Sequence, residues 1–235
     1  VSTDSGVYAV DPVTMETRLF ATLPEGVRPH GLVWNPQRQR INVVANNKDA
    51  LLGFDTNGRL RDFDFVLRGK KSNSAAFHHL NDVAYDNDAL YLSMFSLTGS
   101  WKSGAYDGGV YALDAETLNP IGPVIQGAKM PHSISVEDDQ LWFCNSLPGM
   151  LTQGDYDFEI ALPTFCRGLA FDEDLIFVGA SRNRNAQDAP VESGSQVREV
   201  ASGVYVTSKD NRMARFIPMR GSVPEIHCVY FLTRD

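Results

Sequence analysis

Residues 130–146, MPHSISVEDDQLWFCNS, decide the fold. Ile134 and Val136 alternate with Ser133, Ser135 and Glu137. An acidic turn follows at Glu137-Asp138-Asp139, and the apolar run Leu141-Trp142-Phe143-Cys144 ends at Asn145-Ser146. Period-two alternation, a tight turn and a second apolar run describe an antiparallel hairpin. The chain repeats it. His30-Gly31-Leu32-Val33-Trp34-Asn35 precedes Ile41-Asn42-Val43-Val44, and Asn81-Asp82-Val83-Ala84-Tyr85-Asp86 precedes Leu90-Tyr91-Leu92. Arg167-Gly168-Leu169-Ala170-Phe171-Asp172 precedes Leu175-Ile176-Phe177-Val178, and His227-Cys228-Val229-Tyr230-Phe231 gives the first half of a fifth copy.

The residues that open the copies, at 30, 81, 132, 167 and 227, are spaced by 51, 51, 35 and 60 residues. Repeats of about 40–50 residues built from four short strands are the signature of propeller blades. A polar insertion at 181–202, SRNRNAQDAPVESGSQVREVAS, accounts for the longest step and reads as a mobile, lid-like segment. Two further strands follow each hairpin, such as 51–55 and 60–65 after the first and 109–114 and 121–125 after the second. The N-terminal run Gly6-Val7-Tyr8-Ala9-Val10-Asp11 matches Gly109-Val110-Tyr111-Ala112-Leu113-Asp114, so it reads as a third strand, with Thr17-Arg18-Leu19-Phe20 as a fourth. The prediction is an all-β, five-bladed β-propeller forming one domain over 1–235, closed by N- and C-terminal strands that share a blade. Apolar residues never recur at helical spacing over a useful length.

Bulk properties narrow the partners. With 235 residues, 43% of them hydrophobic, the chain can fill a core. Its net charge of −8 and the lack of any Lys/Arg run speak against nucleic acid or an anionic membrane. No apolar stretch approaches the roughly 20 residues of a membrane helix. Cys144, Cys166 and Cys228, odd in number and without C-x-x-C spacing, read as small core residues of a reducing, cytoplasmic protein. The expected partner is a small molecule.

In a propeller the innermost strands all begin on one face, so His30, Asn81, His132, Arg167 and His227 are expected to ring the channel mouth, with His79 on the approach. His78, by alternation, should point away. Three imidazoles from different blades suit a divalent metal, giving His30, His132 and His227 as ligands and Asn81 or His79 to complete the shell. Such an ion would polarise a substrate oxygen or acidify water. His79 could otherwise act as a base. Arg167 would hold a carboxylate or phosphate of the substrate. A metal-free polar ligand site and a merely wet channel are the alternatives. The glycine-rich loop 96–108 offers Ser96, Trp101 and Lys102 to a ligand, and Asn46, Asn145 and Arg182 end second strands at the same rim. The acid pairs Asp86/Asp88, Asp138/Asp139 and Asp172/Asp174 read as turn formers on the opposite face, and Asp82 as a partner supporting the site rather than a ligand. There is no G-x-S-x-G, Walker A or H-E-x-x-H motif.

The segments HLNDVAYD (79–86), LSMFSLTGSWKSG (92–104), GGV (108–110), MPHS (130–133) and CRGLAFDEDLIFVGAS (166–181) resemble an uncharacterised family of bacterial β-propellers with HLND, GGW and MPHS motifs. More distantly, NDVAYD (81–86) is similar to the NDxAVD segment of the gluconolactonase and senescence-marker-protein propellers, and the chain distantly resembles NHL-type propellers. That resemblance implies a metal-ligand role for Asn81. The chain departs from the pattern at His132, where those proteins carry asparagine, and at Arg167, where they carry aspartate. Imidazole in place of oxygen ligands moves the expected metal from calcium toward zinc or iron. The expected function is a metal-dependent enzyme acting on a small polar or anionic molecule by hydrolase, lyase or oxygenase chemistry. The alternative is a non-catalytic ligand-binding or protein-interaction propeller.

Overall fold

The computed structural model describes residues 1–67, 77–104, 106–182, 202–210, 214–219, 223 and 225–231, with Phe65 described by its backbone alone. The insertion, read as mobile and either a lid or simply disordered, lies between 183 and 201 outside the described residues. Two compact units are resolved, Val1–Gln126 and Gly127–Asp235.

The first unit holds three antiparallel sheets. One is β1 (Ser2–Thr3), β2 (Gly6–Val10) and β3 (Thr17–Thr22), in that order. The second runs β4 (Pro29–Asn35), β5 (Arg40–Ala45), β6 (Ala50–Phe54) and β7 (Leu60–Phe65). The third runs β8 (Leu80–Asp86), β9 (Ala89–Met94), β10 (Gly108–Asp114) and β11 (Pro120–Ala128), a strand that ends in the second unit. The second unit adds β12 (Pro131–Glu137), β13 (Gln140–Asn145), β14 (Met150–Gln153) and β15 (Phe158–Ala161). Its other sheet is β16 (Phe165–Asp172), β17 (Leu175–Ser181), β18 (Gly203–Ser208) and β19 (Ala214–Pro218). The chain is all-β, its five antiparallel sheets are five propeller blades, and the described residues contain no α-helix. The sheet at the N-terminus has three strands, and residues 227–231, read from sequence as a strand, form none.

Middle strands are apolar on both faces because each blade is covered twice. Val43, Ala45, Ala50 and Leu52 pack with Val7, Ala21 and Val27, while their neighbours Val44 and Leu51 pack with Leu80, Leu90, Leu92 and Met94. In the second unit Trp142, Cys144, Leu151, Cys166, Ile176 and Val178 form the corresponding core. Cys144 and Cys166 are buried there as expected, but Cys228 is exposed, because its segment lies outside any sheet. The acid-rich turns are as read: Asn87 and Asp88 have φ of 42° and 69°, Asp138 and Asp139 of 53° and 58°. Two positive φ angles in succession are what the hairpin's right-handed twist requires, and short polar residues tolerate them.

Every complete hairpin carries an irregularity at one place. Register shifts fall between Pro29 and Leu32, Leu80 and Val83, His132 and Ser135, and Cys166 and Leu169. His30, Asn81 and Arg167 therefore sit in β-bulges, which re-aim side chains out of the ladder, whereas His132 is still paired with Cys144 and the bulge of its hairpin falls at Ser133 and Ile134. Gly168 (φ 81°) and Ser133 (φ 52°) take the left-handed conformation these bulges need. Gly31 is fixed by space, since a Cβ there would lie 1.8 Å from Asp82 Oδ1.

Candidate functional site

In the first unit the bulges of β4 and β8 lie together, with the Asp82 side chain against the Gly31 backbone. Asp82 accepts from the Val83 N–H at 2.9 Å, and its own N–H donates to Ser93 Oγ at 3.0 Å. His30, half-buried on β4, accepts at its carbonyl from Ser2 Oγ at 2.8 Å. Asn81 is 2% exposed, and its Nδ2 has no hydrogen-bond partner among the described residues. A buried amide donor without a partner is costly and marks a place where a ligand or water oxygen would be stabilised.

Asn46 Nδ2 donates to the Leu80 carbonyl at 3.0 Å and ties one blade to the next. His79 lies between two rings, stacked on Phe95 at 4.3 Å and tilted on Trp101 at 4.2 Å. His78 is turned to the loop instead. Its Nδ1 meets the Ser96 carbonyl at 2.9 Å, so in the neutral ring Nδ1 carries the proton. Ser96 Oγ accepts from the Ser100 N–H at 2.8 Å, and Thr98 N–H donates to Asp107 at 3.2 Å, so this loop folds onto itself. Burial works to raise the Asp107 carboxyl, but hydrogen bonds from Ser96 and Thr98 outweigh it and hold the group below the usual carboxylate range. Lys102 is exposed in the short turn Trp101–Ser103.

The second unit gathers a different set. His132 is 4% exposed, with Nδ1 at 2.8 Å from both the Met130 carbonyl and Ser146 Oγ. The carbonyl can only accept, and the Ser146 hydroxyl is committed to the Cys166 carbonyl at 2.7 Å. In the neutral ring Nδ1 is therefore the donor, and the lone pair lies on Nε2. Phe165 meets the imidazole edge-on at 5.4 Å between centroids. Ser133 Oγ accepts from the Gly168 N–H at 2.7 Å, which sets the bulge that follows His132 beside the bulge holding Arg167.

Arg167, with its side chain 12% exposed, donates from Nη1 to Glu225 Oε2 at 3.2 Å. His227 Nε2 lies 3.1 Å from the same oxygen and stays 58% exposed, whereas Glu225 is 6% exposed. Glu225 went unread in the sequence. The available signal was position, since it stands two residues before an opening residue, as His79 does. Asn145 Oδ1 accepts from the Lys129 N–H at 2.7 Å, the same bracing job that Asn47 performs for Arg28 at 2.9 Å. Arg182, exposed, follows β17. Among the described residues no group of three or more His, Cys, Asp or Glu side chains is arranged to hold a metal ion. Within the second unit His227 joins Arg167 around one carboxylate.

Among the described residues no helix is long and apolar enough to cross a membrane. No curated protein matches the sequence. Among solved structures, a gluconolactonase from Xanthomonas campestris is similar with a TM-score of 0.60 and 15% identity, covering 92% of this chain and 68% of its own. Virginiamycin B lyase from Staphylococcus aureus is similar with a TM-score of 0.55 and 16% identity, covering 93% of this chain and 64% of the lyase. The chain thus spans less than two thirds of that lyase. The WD40 repeats of RRP9 are similar with a TM-score of 0.56 and 12% identity, covering 88% of this chain and 55% of theirs. Identities this low establish the propeller fold and leave function to the site. At the level of sequence family, the match over residues 28–234 is to the Domain of unknown function DUF4915, and the chain belongs to that family.

Proposed function

We propose that the chain is an enzyme acting on a small polar or anionic molecule, with His132 as proton acceptor and Arg167 as the cation that binds the anionic group. The observation that carries this reading is the double restraint on His132 Nδ1 by Met130 and Ser146. A buried imidazole fixed in one tautomer, with its basic nitrogen on the other side, is what general-base chemistry requires. Nε2 can take a proton from water, as hydrolysis needs, or from a carbon beside a carboxylate, as elimination needs. Arg167 sits one bulge away and offers planar, multi-donor recognition of a carboxylate or phosphate. The gluconolactonase and lyase similarities support the reading in that this fold accommodates both reaction types.

The test is turnover of sugar lactones and hydroxy-acid esters by wild type, His132→Gln and Arg167→Gln. Loss of roughly 10²-fold or more in kcat for His132→Gln is expected for a general base. Equal turnover by wild type and His132→Gln would sink the assignment. Metal content of the same preparations decides whether the zinc or iron expected from the histidines is bound. A second reading, a protein-interaction module, is favoured by the likeness to WD40 repeats and by the exposure of Tyr230 and Phe231.

A further inference from the structure

Glu225 is the one group in the second unit's polar cluster that opposes an anion, and it is the most deeply buried member of its trio. One oxygen serves both Arg167 and His227. A purely mechanical role, pinning the segment that carries it, is already filled by other contacts. Ser181 Oγ accepts from the Ile226 N–H at 2.9 Å and donates to the Ile226 carbonyl at 3.0 Å, so it brackets that peptide from both sides. Ring contact between Phe177 and Phe231 at 4.6 Å adds a second attachment. Burying an ion pair gains little stability over an apolar pair of the same shape, because desolvation offsets the attraction. The carboxylate's clearest consequence is electrostatic. It cancels the Arg167 charge while His227, largely exposed, keeps the cluster open to solvent.

We propose that Glu225 is the specificity-determining residue of this site: it restricts the anion taken by Arg167 to a monoanion such as a carboxylate and excludes dianions such as sulfate or a phosphate ester. This rests on the reading of Arg167 as the anion-binding group. An anion that touches the guanidinium comes within reach of Glu225, and because attraction to Arg167 and repulsion from Glu225 both double for a dianion, the neutral pair removes the advantage a dianion has at a lone guanidinium and leaves its larger desolvation cost unopposed. Glu225→Gln keeps the shape and one acceptor oxygen, removes the charge and turns the other oxygen into an NH2 donor.

The experiment follows the Arg167 Nε–H signal by NMR at neutral pH while acetate or sulfate is added. In wild type, acetate shifts the signal saturably and sulfate binds at least roughly tenfold more weakly. In Glu225→Gln, sulfate tightens by about tenfold or more while acetate changes by less than about threefold. Glu225→Asp, which retains the charge, continues to exclude sulfate and serves as the second variant. Unchanged His132 ring signals show that each variant is folded. The proposal is overturned if both anions bind and their ratio is the same in wild type and Glu225→Gln. If neither anion shifts the signal in any protein, the anion-binding role of Arg167 fails, and the proposal falls with it.

Discussion

Replacing Gly168 by alanine separates two costs that usually arrive together. Gly168 has a φ of 81°, and an added Cβ would lie 3.0 Å from the carbonyl carbon of Cys228 and 3.1 Å from its Cα. Gly26, with a φ of 72°, would place a Cβ with nothing within 4 Å. Both substitutions force an L-residue into the left-handed region, at a cost of about 1–2 kcal/mol. Both also remove the same freedom from the unfolded chain, so that contribution cancels between them. Only Gly168→Ala must displace backbone, and that backbone is held two residues away by Ser181. Overpacking of this kind costs about 1–3 kcal/mol. Gly168→Ala should therefore be less stable than Gly26→Ala by about 1–3 kcal/mol, each kcal/mol lowering Tm by roughly 2–4 °C in a chain of this length. Urea denaturation followed by tryptophan fluorescence measures the difference, and hydrogen exchange at the Ile226 amide reports whether the segment has been pushed off. Variants equal to within about 0.5 kcal/mol, with Ile226 still protected, would refute the close approach of Cys228 to the bulge.

Other outcomes follow from the same contacts. Ser146→Ala leaves the Cys166 carbonyl without its 2.7 Å donor and removes one of the two groups at His132 Nδ1. A loss of about 1–3 kcal/mol is expected on denaturation, and a variant as stable as wild type would contradict the buried network. The Tyr156 phenol is pushed up to about 12, chiefly by burial and secondarily by the charges of Asp155 and Glu159. The folded state holds this proton more tightly than the unfolded chain does. Its contribution to stability is thus full below the unfolded value, near pH 10, and lost as pH rises through about 12. Tyr91 and Tyr205 are also raised by burial, so spectrophotometric titration should show several late-ionising tyrosines, and Tyr156→Phe should remove the one near about 12. Identical alkaline stability curves for wild type and Tyr156→Phe would count against it.

What was legible in the sequence was whatever obeys a local rule. Alternation at 134–136, the paired acids of the hairpin turns and the apolar middle strands depend on residues within a few positions of one another. They gave the blades, their order and four of the five opening residues in their strands. The spacing also located three of the four bulges and fell one residue short of the fourth, at Ser133, although not as bulges, because a register shift is a property of two strands and not of one.

The site was less readable, since its residues find partners far along the chain. Asn46, Asn145 and Ser146 look alike as polar strand ends. Only the fold shows the first two bracing backbone and the third restraining His132. His79 reads as a base, yet it lies between Phe95 and Trp101. The 227–231 run has the composition of a strand, but strand formation needs a neighbour to pair with, and composition carries no information about one. Sequence alone determined the all-β repeat, because hydrophobic periodicity and turn chemistry act within one hairpin. The tertiary structure alone decided that Glu225 meets Arg167, 58 positions away, and brings His227 with it. A charge pair is set by where two distant segments lie in space, and no local pattern encodes that.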